Sequence, residues 1–409
     1  MRINLIVILL LISSSKQGKA QSLKQGIWQG ILTLNAKEKI ELPFNFETKL
    51  QQKKNVIVIW NAEERIVVDE LQLKRDSVNF KMPVFDSEFK TKNYGDSLVG
   101  VWINHARKDK NIIPFKAYFN KTQRFNFTPE KANPIYEGKW EVTFSPETTD
   151  STKAIGIFKQ GETNYCTGTF LTETGDYRYL DGIQHKGKIY LSCFDGSHAF
   201  LFIANSNGVK ITDGEFYSGI HWKENWIGKR NETFQLKDAT SITQLNPGIE
   251  TLSFSFMNSK KEKISIDDAR YKNKVVIVQL MGSWCPNCMD ETAYLSQLYK
   301  TYNKKGLEII GLAYERTNDF AKASANVERL KKRFVVDYEI LITGLTGKEK
   351  ASESLPMLTK INAFPTTLFI NKQGKVILIH TGFSGPATGN AYKEFTTKTE
   401  SLINQLINN

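Results

Sequence analysis

The sequence predicts a multidomain protein, an all-β N-terminal half followed by an α/β C-terminal domain. Three observations predict it. The chain has 409 residues, longer than one hydrophobic core usually supports. From Gly26 to about Leu236, β-branched and aromatic runs such as NVIVIW (55–60), KIYLSCF (188–194) and HAFLFIA (198–204) are separated by Gly, Asn and Asp, the pattern of strands and turns. After ATSITQLNPGIE (239–250), strand-like and helix-like segments alternate, which implies helices layered on a sheet.

Taken in order, residues 1–20 (MRINLIVILLLISSSKQGKA) have a basic start at Arg2, an apolar run from Ile3 to Ile12, and Gly18 and Ala20 spaced like a signal-peptidase site. This reads as a cleaved export signal. The apolar run is about half of the ~20 residues a bilayer span requires, so an uncleaved anchor is the weaker reading. No cysteine near Ala20 offers a site for lipid attachment. The expected mature protein is soluble and periplasmic. Its charge is +9, because Arg2, Lys16 and Lys19 account for three of the formal +12. Basic and acidic residues are interleaved, which argues for a solvated surface and against a nucleic-acid partner.

The β half repeats itself. GIWQG at 26 resembles GKWEV at 138, SVNFKMPVFDSEF (77–89) resembles KIYLSCFDGSHAF (188–200), and SLVGVW at 97 matches ITDGEF at 211 less well. The pairs share an offset of roughly 111 to 114 residues, which indicates duplication. Two related meander or barrel-like modules, 21–135 and 136–240, are expected. Cys166 and Cys193 fall on strands of the second module with another strand between them. Two unpaired core thiols are therefore preferred to a disulfide, which would require a rolled sheet. In FDGSHAF, Asp195 and His198 suit a binding loop, but a tight turn around Asp-Gly-Ser is the favoured reading.

In the C-terminal domain, 248–409, SFSFM and KISI lead into the buried run VVIVQLMG (275–282), followed by a helix with Leu295, Leu298, Tyr299 and Tyr302 at helical spacing. LEIIGLAYE (307–315) and YEILITG are further strands, with the helix FAKASANVERLKKRF between them. KEKASESLPMLTKIN reads as helical with a break at Pro356, TTLFINKQGKVILIHTG is a hairpin turning at Lys372 to Gly374, and EFTTKTESLINQLI is a closing helix.

The chemistry concentrates in GSWCPNCMDE (282–291). A strand ending at Gly282 or Ser283 delivers Cys285 to the start of the following helix, where free N–H groups and the macrodipole favour an anion. Cys285 is the thiolate candidate, with a thiol pKa that such sites lower from ~8.5 to ~3.5–7.5. Cys288 lies within reach to close a disulfide and is expected to be deeper. A structural staple over so short a loop constrains the unfolded chain little. Zinc takes about four ligands, and neither a second CxxC nor a nearby histidine pair is present, the histidines being 105, 185, 198, 221 and 380. Redox chemistry is the preferred reading, with no metal and no cofactor.

WCPNCMDE, the buried strand before it, LEIIGLAYE and AFPTTLFINKQGKV, in this order, resemble the thioredoxin-like superfamily, and specifically exported TlpA/ResA-type thiol:disulfide oxidoreductases, over about 248–409. The resemblance implies an α/β thioredoxin-like fold. Cys285 matches the attacking cysteine, Cys288 the resolving one and Trp284 the preceding tryptophan. Pro365 looks like the family's cis-proline, with Phe364 and Thr366 bordering the substrate groove, and Gly382 like a groove-lining glycine. Glu291 matches the glutamate of W-C-x-x-C-x-x-E and implies proton exchange with Cys288. A first-turn acid stabilised by the helix dipole is its plainer explanation. Gln279 stands where thioredoxins carry a buried aspartate, which shifts proton transfer toward Glu291 or water, and Ala293 replaces a proline common in the family. The segment 318–344 is similar to the insert of the TlpA/ResA group. The β half resembles uncharacterised N-terminal regions of exported Bacteroidetes-type proteins, through GTFLTETGDYRYLDG and FDGSHAFLF.

The implied activity is reduction of protein disulfides, with a membrane or periplasmic electron donor as second partner. A thiol peroxidase is an alternative, although VQLMGSWC (278–285) lacks that class's Pro-x-x-x-Thr-x-x-Cys arrangement. A ligand-binding protein, in which the redox-like domain only supports the β modules, is another.

Overall fold

The computed structural model describes residues 23–131 and 133–409; the export-signal reading of 1–20 lies outside them. The N-terminal half forms two nine-stranded antiparallel sheets. In the first, the opening strand Gly26–Asn35 pairs with both the second, Ile40–Gln51, and the last, Ile112–Phe119. In the second, Gly138–Phe144 pairs likewise with Thr152–Gln160 and Trp222–Arg230. Pairing first strand to last rolls a meander into a barrel. The second sheet closes, because Thr152–Gln160 also pairs with Tyr165–Thr172, which in turn pairs with Leu180–His185. The first sheet ends at Glu64–Val68 on one side and Glu70–Lys74 on the other.

The two sheets repeat each other residue by residue at their starts. Trp28 and Trp140 are both fully buried, and each indole N–H donates to the carbonyl four residues earlier, Lys24 at 3.4 Å and Tyr136 at 2.7 Å. The other repeated phrase becomes the sixth and seventh strands of each sheet, Ser77–Lys81 with Ser87–Asn93 and Lys188–Phe194 with Ala199–Ser206. The interior of the second barrel is filled by Phe144, Phe170, Phe202, Phe216 and Trp226, with Phe202 and Phe216 stacked at 4.3 Å. Such packing leaves the barrel axis a core rather than a ligand cavity. Cys166 and Cys193 lie in this core as free thiols, and burial pushes both thiol pKa values up.

A buried cation helps to join the two β sheets. Arg124, in the connection between them, is 7% exposed. Its guanidinium donates to the Pro43 and Trp60 carbonyls and Asn61 Oδ1 of the first sheet, and to Ser192 Oγ of the second. Asp181 Oδ2 lies 3.4 Å away.

The strands of the C-terminal unit are β1 (Ser255–Asn258), β2 (Lys263–Ser265), β3 (Val275–Met281), β4 (Leu307–Ala313), β5 (Glu339–Ile342), β6 (Thr366–Ile370) and β7 (Val376–Thr381). Its helices are α1 (Pro286–Tyr302), α2 (Phe320–Phe334), α3 (Gly347–Ser354) and α4 (Asn390–Asn408). The sheet order is β2-β1-β5-β4-β3-β6-β7. β3 runs parallel to β4 and antiparallel to β6. Every residue of β3 is buried, as a central strand covered on both faces requires. β3 stops at Met281, just short of the expected Gly282 or Ser283, because the chain turns there to place Cys285 as the cap of α1. α3 ends at Ser354, before Pro356, as the residue order dictates. Among the described residues no helix is long and apolar enough to cross a membrane.

Replacing Arg124 with alanine strands Asp181 and several buried acceptors. The expected loss is about 3–5 kcal/mol, read as a lower urea midpoint of the tryptophan fluorescence transition.

Candidate redox site

Helix α1 begins where it does for local reasons. Cys285 has extended backbone angles (φ −101°, ψ 111°), and Pro286 follows at the first helical position, where its missing N–H costs nothing and its fixed φ suits the helix. Cys285 Sγ accepts from the Cys288 N–H at 3.2 Å. The attacking sulfur therefore sits at the positive end of the helix, where a thiolate is favoured. Cys285 and Cys288 form a disulfide with Cα atoms 5.2 Å apart. Cys288 is the deeper of the two, at 0% exposed against 6%. Across from them the Phe364–Pro365 bond is cis, and the Phe364 carbonyl oxygen lies 3.5 Å from Cys285 Sγ.

Glu291, three residues along α1 from Cys288, is 1% exposed. Its carboxylate accepts from Gln279 Nε2 at 2.8 Å and from Thr367 Oγ1 at 2.8 Å. Burial pushes its pKa up to about 7, although the two hydrogen bonds pull the other way. Gln279 is thus more than a departure from an aspartate. It holds Glu291 with one end, while its Oε1 accepts from Thr292 Oγ1 at 3.2 Å. Thr367 went unread in the sequence. The signal was register: Gln279 on β3 and Thr367 on β6 are directly opposite, so their side chains share a face.

Trp284 is half-buried. Its indole N–H donates to the Tyr314 carbonyl at 3.0 Å, and the Arg316 guanidinium lies 4.3 Å from the centre of its ring. Phe364 packs between Tyr314, stacked at 5.4 Å, and the edge of Trp284 at 6.0 Å. Thr366 differs from expectation. It is fully buried and its hydroxyl donates back to the Ala363 carbonyl at 2.9 Å, because it is the first residue of β6, held between β3 and β7. It shapes the proline loop rather than facing the groove.

Gly382, just after β7, has φ +82°, a conformation glycine adopts freely, and its N–H donates to the Pro365 carbonyl at 2.8 Å. It is also covered. A Cβ at Gly382 would lie 2.8 Å from the carbonyl carbon of Thr174, in the tight turn that follows Tyr165–Thr172 of the second barrel. That turn is pinned to the redox domain. Asn287 Nδ2 donates to the Asp176 carbonyl at 3.2 Å, and Asp176 Oδ2 accepts from the Gly385 N–H at 2.5 Å. Arg178 donates to the Pro286 carbonyl at 3.0 Å and pairs with Asp290 of α1, with Glu64 of the first sheet, and with Asp195 at 3.4 Å. FDGSHAF is a tight turn, in which Asp195 Oδ1 accepts from the N–H groups of Ser197 and His198. Burial pushes the Asp290 pKa up to about 7, Arg178 opposing and Asp176 and Glu64 adding to the rise.

A dithiol capping the helix after a central strand, opposite a cis-proline loop and followed on the same helix by a buried carboxyl, defines a thioredoxin-like redox domain. The Redoxin family model matches residues 246–394. Thiol-disulfide oxidoreductase ResA of Bacillus thuringiensis (strain Al Hakam) is 31% identical over 130 residues, 32% of this chain and 66% of that protein. ResA of Bacillus thuringiensis subsp. konkukian (strain 97-27) is 30% identical over 138 residues, 34% of this chain and 71% of that protein. The chain thus spans about two thirds of the length of these curated relatives. A solved thiol-disulfide oxidoreductase from Bacteroides fragilis NCTC 9343 is 22% identical, with a TM-score of 0.28 over 36% of this chain and 99% of that one. The chain belongs to the TlpA/ResA-type thiol:disulfide oxidoreductase family.

The raised pKa of Glu291 has a signed consequence for stability. Between about pH 4.5 and 7 the folded state holds a proton there that the unfolded state has lost, so stability falls as pH rises through this window. The stability of the oxidised protein relative to Glu291→Gln is expected to drop by roughly 3 kcal/mol between pH 4 and pH 8, measured by urea unfolding at the two pH values.

Proposed function

We propose that this protein is an exported reductase of protein disulfides, with 1–20 as its export signal, β modules at 21–135 and 136–240, and its redox domain at 248–409. The single observation that carries this reading is the arrangement of two sulfurs and one acid. Cys285 caps α1 opposite the Phe364 carbonyl, Cys288 lies behind it, and the buried Glu291 carboxyl follows with a pKa near neutrality.

In the reaction, the Cys285 thiolate attacks one sulfur of a substrate disulfide, and the other sulfur leaves as a thiolate that takes a proton. Glu291 accepts the proton of Cys288, which attacks Cys285 Sγ. The second substrate sulfur is expelled and protonated. The substrate gains two electrons and two protons, and the enzyme is left as the Cys285–Cys288 disulfide found here. A dithiol electron donor, in the membrane or the same compartment, must reduce it again. Trp284, Phe364, Pro365 and Gly382 shape the approach to Cys285, with Thr366 supporting the proline loop. Glu291 serves as a base only when ionised, so resolution speeds up as pH rises through its pKa.

Insulin reduction tests the reading. Cys285→Ser is expected to abolish it, and Cys288→Ser to accumulate a mixed disulfide visible on a non-reducing gel. Retained insulin reduction in Cys285→Ser would overturn the proposal. Glu291→Gln is expected to slow resolution roughly 10²-fold and to remove the inflection near pH 7 from its rate profile, followed by stopped-flow tryptophan fluorescence.

A further inference from the structure

We propose that the Glu173–Thr174 turn of the second β module is a specificity-determining wall of the redox site, favouring small or extended flexible disulfides over those held in folded proteins. The inference rests on the redox reading above and assigns a substrate class to that same site.

The observation behind it is where the turn lies. Gly382 donates its N–H to the Pro365 carbonyl, and so lies against the cis-proline loop whose Phe364 carbonyl is 3.5 Å from Cys285 Sγ. The Thr174 backbone occupies the space over Gly382, with its carbonyl carbon and oxygen 2.8 and 3.0 Å from where a Cβ would stand. A second close approach lies beside it, where a Cβ at Gly175 would be 2.9 Å from Asn287 Oδ1, inside the CxxC motif. Phe364, Pro365, Gly382 and Phe383 are all buried, and Cys285 itself is 6% exposed. A substrate segment laid along the Gly382 side would have to pass through the Thr174 backbone. The remaining approach runs past half-buried Trp284 and exposed Arg316.

The wall is fixed by polar bonds to units distant in sequence. Arg178, two residues after the short strand Gly175–Asp176, is 7% exposed and pairs with acids of both barrels and of α1. Asp176 binds the Gly385 N–H on the far side of Gly382. A turn anchored on both sides of the groove selects by exclusion, which discriminates against the wrong substrate without contacts to the right one.

Three measurements on the reduced full-length chain test this. In the unmodified protein, N-ethylmaleimide is expected to alkylate Cys285 far faster than a polyethylene-glycol maleimide does, relative to the same pair of reagents on the urea-unfolded chain. Arg178→Gln is expected to raise the ratio of kcat/KM for insulin over that for 2-hydroxyethyl disulfide about tenfold. The same rise is expected when residues 172–175 are replaced by Asn-Gly, which draws the turn back. Circular dichroism confirms that each variant is folded. Equal size discrimination in the folded and unfolded chain overturns the wall, as does a ratio within twofold of the unmodified protein's in a folded variant. Failure of the unmodified protein to reduce 2-hydroxyethyl disulfide overturns instead the redox reading on which the wall rests.

Discussion

The arrangement of this molecule depends on one buried guanidinium. Arg178 is 7% exposed and is shared by Glu64, Asp195 and Asp290, which belong to three different structural units. A cation removed from water requires paired acids around it, so each of the three units supplies something the others cannot do without. The same side chain reaches the Pro286 carbonyl in the first turn of α1, which ties the register of the second barrel to the position of the dithiol. Asp195 shows how the charges are apportioned. Despite full burial, His198, its own N–H and Arg178 hold the Asp195 pKa at about 2, whereas Asp290, crowded by Asp176 and Glu64, is pushed up to about 7. The acids around Arg178 outnumber it, and Asp290 is the one pushed toward its protonated form.

At the chemical centre, sheet pairing and proton placement are a single feature. β3 and β6 are neighbours in the sheet, and their opposed residues Gln279 and Thr367 reach up to the same carboxylate. A neutral amide there supplies a hydrogen bond without adding a second ionisable group beside Glu291.

What was legible in the sequence follows the range of the interactions. The CxxC pair lies at a strand-to-helix junction that local rules locate, and Glu291, three residues past Cys288, was picked out by the W-C-x-x-C-x-x-E resemblance. Pro365 and Gly382 lie far along the chain and were placed by resemblance. The duplication of the β half could be read because the tryptophans of GIWQG and GKWEV fill equivalent positions, Trp28 and Trp140, and make equivalent hydrogen bonds. Meander or barrel-like modules were expected, but which of the two closes could not be read, since the first-to-last pairing that rolls the second sheet is one that no short window contains. Arg178 was equally silent. Its partners at 64 and 290 lie more than a hundred residues away on either side, and nothing in DYRYL marks it as a junction. Thr366 was misplaced for a related reason: adjacent residues on a strand face opposite ways, and it is Thr367 that turns toward the acid.

The aromatic filling of the second barrel bears on how the chain acquires its one disulfide. Cys166 and Cys193 are sealed within that core, with thiols too reluctant to ionise to enter exchange. Sulfur traffic in the native state is thereby confined to a single pair. The protection is a property of the rolled-up sheet, since it is the surrounding strands and rings that keep both thiols from solvent.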